Sequence, residues 1–589
     1  MVTQVVDAER AAAYDVEPFG PHAINTSVVS GPFLQRTRRA LSRHRALYMS
    51  PAEARAASEM VLRDLLAQAE DTYFGKKHGL AGVRSLRDWK DAIPVRRYAD
   101  FEPYVAKILD GDVNVLTKSP PYAVLKTSGS SGKPKLIPST RHWREQYRGP
   151  ALYAQWGLYF EKVGFDQAVG TSVLDLSWER STPQSNVGEH RAYCISQRPA
   201  AVSSVDWLPP WYHEGWFEDI DGKDYPSGLY RKMRLLATAD VRMIVALNPS
   251  KIVGLAEILA QRADDLIADL RHGTLDGVPF HASDRDAARR LDATRRANGG
   301  VLRLADLWPR LSLVVSWNSA SAALYRPWLE QATPGISKLP FSATGTEGII
   351  TIPIDDHPSA GPLAVDLGLY EFVPEEEPDD DADLPPDVAT LGYHELEVGK
   401  TYRIVMSQAN GLYRYDLGDR YMVAGRVGGL PRLDFVGRSG FVSSFTGEKL
   451  TEEDVHRAVH QAFGGRSAAR SKFTCVPVWA TPPGYTLAIE WSYTAGISVA
   501  EFADRLDAEL RALNIEYAEK QNSNRLTRIA VLPVTPGAFE RVEEHRRLAG
   551  AAPAQLKHHW IQRNDDILPY LRQATLPAGV GFEDAAGRT

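Results

Sequence analysis

Three short segments bring together residue types that could do chemistry on phosphate. The first is TSGSSGKPKLIP, residues 127–138. Its amides, hydroxyls and lysines could wrap a polyphosphate through local nests of N–H groups. It is not a nucleotide-hydrolysing P-loop. Only Ser130 and Ser131 separate Gly129 from Gly132, where that loop needs four residues, and Pro134 disfavours helix at Lys133. KLIP reads instead as a short extended run. The second segment is SATGTEGIITIP, residues 342–353, where the Thr346 hydroxyl could bond a phosphate oxygen and the Glu347 carboxylate could hold Mg²⁺ with its waters. The third is GLYRYDLGDR, residues 411–420. Tyr413, Arg414, Asp416 and Asp419 crowd a Gly-bounded turn there, and an Asp so placed could accept both hydroxyls of a ribose. Each segment alone also reads as a surface turn.

Other polar residues carry less. His456 and His460 lie four apart on a helix, but Arg-Ala-Val separates them and no third ligand is apparent. They read as a solvated helix face. His558 and His559 read as surface at the end of a domain. Trp317 and Asn318 end the apolar run LSLVVSW, and α/β folds place ligands at the ends of such strands. They are candidates for a substrate pocket, with plain packing an equal alternative for Trp317.

The elements that must position these groups are legible in outline. At 589 residues the chain needs more than one core. Its 44% hydrophobic and 24% charged content is that of an ordinary globular protein, and a net charge of −6 offers no footprint for nucleic acid. No apolar run reaches membrane-spanning length, and the N-terminus lacks the pattern of a signal peptide. Two cysteines, Cys194 and Cys475, support neither a disulfide framework nor a thiolate metal site. The expectation is a cytoplasmic protein without structural metal, with Cys475 a buried inert thiol. Residues 1–30 read as a mobile tail. Ser50, Pro51 and Glu53 start a helix whose Val61, Leu62, Leu65, Leu66 and Ala69 form one buried face. RMIVALN and LSLVVSW are buried strands between long amphipathic stretches, which favours an α/β body. PEEEPDDDADLPP (374–386) reads as a solvated acidic loop. Beyond DFVGRSGF (434–441) come a capped helix, a hairpin built from VPVWA and YTLAIEWSY, a second helix capped by Ser498 and Glu501, and the strand RIAVLPV. The chain therefore reads as a large multi-layer N-terminal α/β domain (1–437) joined by a hinge to a smaller α+β domain (438–589).

In combination the three segments are specific. Their order, followed by GRSG, resembles the adenylate-forming superfamily that includes firefly luciferase and acyl-CoA ligases. DTYFGKKHG, IPVRRYADFEPYVAKILDGD, NIEYAEKQ and AQLKHHW are similar to the acyl acid amido synthetases, the plant auxin- and jasmonate-conjugating enzymes and their bacterial relatives. The resemblance runs from about residue 45 to 575. It implies an ATP-dependent, Mg²⁺-assisted ligase that activates a carboxylic acid as acyl-AMP and passes the acyl group to an amine, with an amino acid expected. An acyl-CoA synthetase and a catalytically dead ligand-binding relative are the alternatives. The resemblance sets Ser128, Gly129, Ser130, Ser131 and Lys133 along the ATP phosphates. It gives Thr346 and Glu347 the α-phosphate and Mg²⁺, and Asp419 the ribose, with Tyr413 and Arg438 beside the nucleotide. Lys449 would approach the outer phosphates and Lys557 would complete the site for adenylation. Arg438 and Ser439 fall at the hinge. Where relatives stack a tyrosine on adenine this chain has Ala343, with Phe341 a substitute, and QLKHHW keeps only part of the context expected around Lys557. A monomer without nucleic-acid or membrane partners is expected.

Overall fold

The computed structural model describes residues 29–126, 135–176, 186–187, 190–193, 225–247, 249–280, 283–375, 384–438, 442–443, 450–464, 471–478, 480, 482–491, 497–522, 526–548, 558–562 and 565–576. The chain divides into two compact units, the first closing at Val436 and the second running from Gly437. Most of the expected N-terminal tail lies outside the described residues, as do Cys194 and most of the acidic run.

In the first unit, helix α1 (Gly31–Met49) starts at Ser30, whose hydroxyl accepts from the Phe33 amide. Leu34, Leu41 and Tyr48 recur at seven-residue spacing and are buried. This helix follows directly on residues 1–30 and five arginines dilute its apolar pattern, so its sequence carries little signal of a buried face. Helix α2 (Pro51–Ala69) begins as expected, with the Ser50 hydroxyl accepting from Glu53 N at 3.3 Å. Val61, Leu62, Leu65 and Ala69 are buried. Helix α3 spans Tyr98–Leu109 and helix α4 spans Gly149–Val163.

Strands β1 (Pro121–Lys126) and β2 (Leu136–Thr140) pair antiparallel, with Lys126 opposite Leu136, so they frame the first Gly-Ser segment. β3 (Ser172–Asp175), β5 (Val241–Ala246), β6 (Leu313–Ser316) and β7 (Ser337–Pro340) form an all-parallel sheet in the order β7-β6-β5-β3, while β4 (His190–Tyr193) joins β1. Continuous burial of Leu313 to Ser316 is what a strand covered on both faces requires. A five-stranded sheet follows: β8 (Gly361–Pro362), β9 (Leu369–Pro374), β10 (Thr401–Ser407), β11 (Tyr415–Val427) and β12 (Leu430–Arg438), in the order β8-β12-β11-β10-β9.

The second unit is α+β. Helix α5 (Glu452–Ala462) carries a complete capping box between Thr451 and Asp454. β13 (Phe473–Val478) and β14 (Gly484–Glu490) form the expected hairpin, and β15 (Ala530–Val534) adds parallel to β14. Helix α6 (Val499–Leu513) starts at Ser498 and buries Phe502, Leu506 and Leu510. Cys475 is buried, and burial pushes its thiol pKa up, so it is an inert core group.

Two histidine expectations are corrected. His456 is buried against Trp560, with ring centroids 4.6 Å apart, and burial lowers its pKa to about 4. His558 donates from Nε2 to the Phe473 carbonyl at 2.7 Å and is likewise lowered to about 4 by burial. His456 is a packing group rather than part of a solvated face, and His558 is half-buried and hydrogen-bonded because residues 558–562 lie along β13. The Cys475 amide donates to Trp560 O and the Gln562 amide donates to Cys475 O. Among the described residues no cluster of His, Cys, Asp and Glu could hold a metal, and no helix is long and apolar enough to cross a membrane.

Glu490 ends β14 almost fully buried, with Glu540 near it and Lys472 bonded to Glu540 at 2.5 Å. Burial first, then the Glu540 charge, raises the Glu490 pKa to about 7. The folded state then holds a proton that the unfolded chain releases, so stability falls as pH rises from about 4.3 to about 7. Glu490→Gln should flatten that slope and raise the thermal midpoint at pH 8, read by melts across pH 5–8. A wild-type slope unchanged in the variant would remove Glu490 as its source.

Candidate active site

The described end of the first Gly-Ser segment, from Lys135, is held by aromatic residues. Ser128, Gly129, Ser130, Ser131 and Lys133 lie outside the described residues. Lys135, the segment's other lysine, donates to the Tyr415 hydroxyl at 2.9 Å. Its ammonium stands 5.6 Å from the Tyr415 ring centroid and 5.8 Å from that of Tyr98. The Tyr98 hydroxyl accepts from Leu136 N at 2.7 Å and donates to Leu136 O at 2.9 Å. Burial, with Glu102 and Glu347 adding negative charge, pushes the Tyr98 phenol up to about 12, so it stays protonated.

The third segment bends at Gly411 and Arg414 and then runs as a strand from Tyr415, and most of its polar residues serve the framework. Tyr413 is corrected: it is fully buried, its hydroxyl donates to Leu116 O at 2.9 Å, and its ring packs on Phe74 and Trp89. It is a core residue, not a nucleotide contact. Arg414 holds φ +48°, uncommon for a residue with a side chain. Its guanidinium forms a bidentate pair with Glu371 at 3.0 and 2.9 Å and donates to Lys90 O and Ile93 O. Asp416 is taken in the same way by Arg403, at 2.9 and 2.5 Å. Both pairs are buried.

That leaves Asp419. Arg403 faces Arg420 and Val405 faces Asp416 across β10 and β11. Ile404 alone therefore opposes Leu417, Gly418 and Asp419, and Gly418 takes φ +76° to make this bulge. Bulges re-aim side chains. Asp419 sits on this one, 6% exposed.

The second segment is a tight loop. Gly345 N donates to Gly348 O at 2.9 Å, and the Thr344 hydroxyl to the same oxygen at 3.3 Å. Asn410 Nδ2 donates to Glu347 O at 3.0 Å, and Arg148 reaches Gly345 O at 3.4 Å. Glu347 is 5% exposed, and among the described residues no hydrogen bond or ion pair engages its carboxylate. A methyl on Gly345 would meet Glu347 Oε2 at 2.8 Å, so glycine there makes room for the carboxylate. Thr346 occupies the same loop, half-buried. Ala343 is buried within backbone hydrogen bonds to Ile350 and Thr351, and Phe341 is half-buried against the core.

Trp317 and Asn318 follow β6 as expected. The Trp317 ring packs on Phe435, with centroids 5.6 Å apart. Asn318 accepts from the Ser316 hydroxyl at 2.7 Å and donates to Pro358 O at 3.1 Å. Lys449, Ser439 and Lys557 lie outside the described residues, as does the side chain of Arg438, the last residue of β12. Sequence reading did not single out Tyr98, Lys135, Asn410 or Arg148. Lys135 sat in plain view inside the quoted segment, whereas nothing in the local pattern marks a lone Tyr or Asn.

A parallel sheet, a bulged antiparallel sheet and polar Gly-rich loops in one unit, followed by a small α+β unit, define a two-unit α/β protein of the acyl acid amido synthetase fold. A solved structure of the AtGH3.15 acyl acid amido synthetase in complex with 2,4-DB matches it with a TM-score of 0.73 at 19% identity, over 95% of this chain and 98% of that one. Sequence profiles described as the GH3 family N-terminal, central and C-terminal domains match residues 43–338, 361–438 and 453–566. The chain belongs to the GH3 family. Indole-3-acetic acid-amido synthetase GH3.17 of Arabidopsis thaliana is 26% identical over 454 residues, 69% of this chain and 73% of that protein. Jasmonoyl–L-amino acid synthetase GH3.5 of Oryza sativa subsp. japonica is 24% identical over 563 residues, 85% of this chain and 92% of that protein.

The framework pairs make a distinct prediction. Glu371→Gln leaves the Arg414 guanidinium buried without its counter-charge, which typically costs about 3–5 kcal/mol. Urea unfolding should show a loss of that order, while Arg505→Ala, which breaks an exposed helical pair with Glu501, should unfold close to wild type. Equal losses in the two variants would contradict the framework role.

Proposed function

We propose that this protein is an ATP-dependent acyl acid:amine ligase that joins a small carboxylic acid to an amino acid through an acyl-AMP intermediate. The observation that carries the reading is the gathering of the three segments about Tyr98 in a chain of the GH3 family. Lys135 from the first and Tyr415 from the third meet directly, and the Glu347 charge of the second acts on the same phenol. Relatives that conjugate indole-3-acetic acid and jasmonate support the substrate class.

Glu347 fits a divalent cation. A nearly buried carboxylate without a partner among the described residues is costly unless a cation meets it, and Mg²⁺ takes one or two carboxylates together with substrate phosphates. When bound, Mg²⁺ would offset negative charge on those phosphates. Thr346 would donate its hydroxyl to the α-phosphate, and Asp419 would accept from the ribose hydroxyls. Ser128, Ser130, Ser131 and Lys133 would line the phosphates. Trp317 and Asn318, past the carboxyl end of β6, would border the acid.

A carboxylate is a poor electrophile because its charge is delocalised and oxide is no leaving group. Its oxygen attacks the α-phosphorus of ATP, and the bond to the β-phosphate oxygen breaks to release pyrophosphate. Lys133, Lys449 and Lys557 would hold the charge that builds on the leaving group. A neutral amine then attacks the acyl carbon, AMP leaves with the former carboxylate oxygen, and the amine sheds a proton. An ATP-consuming enzyme with a reduced thiol suits the cytoplasm.

With a cognate acid and no amine, the protein should exchange label between pyrophosphate and ATP. Lys557→Ala should lower that exchange about 10²–10³-fold while amide formation from supplied acyl-AMP stays within about tenfold of wild type. Equal losses in both half-reactions would show Lys557 to be structural. Absence of exchange with every acid in a broad panel would sink adenylation.

A further inference from the structure

Lys126 and Leu136 face each other where β1 and β2 close on the Gly-Ser segment, and Lys135 is the next residue in from Leu136. One hydroxyl, that of Tyr98, engages both backbone groups of Leu136. It can do so only while protonated, since it must donate to the carbonyl and accept from the amide at once. With Leu136 fixed on both sides, the start of the Lys135 side chain is fixed too. Its far end is set by the Tyr415 hydroxyl and by the rings of Tyr98 and Tyr415, which hold a cation through their faces.

The two tyrosines are themselves tied together. Tyr415 stacks edge-on against Phe101 of α3, the helix that Tyr98 begins, with centroids 5.9 Å apart. The segment before that helix is pinned to the third segment: Arg96 N donates to Arg414 O at 2.9 Å and Asp416 N donates to Arg96 O at 2.8 Å. A flexible lysine, with four rotatable bonds to restrict, is thus ordered before any anion arrives. Prior ordering of this kind lowers the cost of binding.

We propose that Tyr98 is a positioning residue for ATP, fixing Lys135 at both ends so that its ammonium is already aimed when the triphosphate binds. The inference rests on the nucleotide site proposed above. Tyr98 touches no reacting atom in this account; it acts through Lys135.

Tyr98→Phe keeps the ring and removes both hydrogen bonds. In pyrophosphate exchange with a cognate acid it should raise the KM for ATP about tenfold, the effect of one to two lost hydrogen bonds, and move the KM for the acid less than about twofold. Tyr415→Phe, which removes the acceptor for Lys135 and keeps the ring, should act in the same direction. In a Lys135→Ala background, Tyr98→Phe should add less than about twofold, because the group it positions is gone. A general weakening of the fold would raise both KM values and would add to Lys135→Ala, and that result overturns the proposal. If Lys135→Ala raises the KM for ATP and neither tyrosine variant does, the inference alone fails. If Lys135→Ala leaves the KM for ATP unchanged, the assignment of this lysine to the nucleotide fails and the inference goes with it.

Discussion

The Arg414 guanidinium is buried, and the third segment takes its shape from the need to pair it. Glu371 on β9 meets it in two parallel hydrogen bonds, and the carbonyls of Lys90 and Ile93 take further donors. To present the side chain this way the backbone at residue 414 turns left-handed, and its amide is caught by the Ser407 hydroxyl. One residue on, β11 begins, and at Asp416 a second buried pair with Arg403 locks it to β10. Separating either pair would strand a charge in a low-dielectric interior. The register of β10, β11 and the 90–98 stretch is therefore specified by charge as well as by apolar burial.

What this framework holds in place is a contrast. Glu371 and Asp416 are carboxylates with their counter-charges supplied, whereas Glu347 is nearly as buried and has none among the described residues. Glycine at residue 345 makes room for that carboxylate, since a methyl there would meet Glu347 Oε2 at 2.8 Å. A bulge separates Asp419 from Asp416. With one residue of β10 against three of β11, Asp419 is displaced from the alternation that commits Asp416 to Arg403. Two aspartates three positions apart thereby stand in different settings on one strand.

Much of the fold was legible. Helix starts at Ser50, Thr451 and Ser498 were readable because the capping chemistry is local. The strands LVVS and MIVA were readable because burial on both faces demands unbroken apolar runs. Helix α1 was not, since its arginines cover the surface with charge and two of its five buried positions, Thr37 and His44, are polar. In the site, residue types were legible and their division of labour was not. Tyr413, Arg414, Asp416 and Asp419 look alike in sequence, and only the partners brought from β9, β10 and the core show which are structural. His456 and His558 were misread for the same reason: their neighbours Trp560 and Phe473 arrive from elsewhere in the chain. Tyr98 had no local signature, because its partner Leu136 lies thirty-eight residues away.

The central claim is that the carboxylic acid is activated by transfer of AMP, so the fate of its own oxygen is the most direct test. When a cognate acid labelled with ¹⁸O in its carboxylate is converted to amide with ATP and an amine, one labelled oxygen should leave in the phosphate of AMP, and mass spectrometry of the nucleotide product reads this. Label recovered in AMP, with unlabelled pyrophosphate, is the predicted result. Label in inorganic phosphate, with ADP as the nucleotide product, would contradict the account.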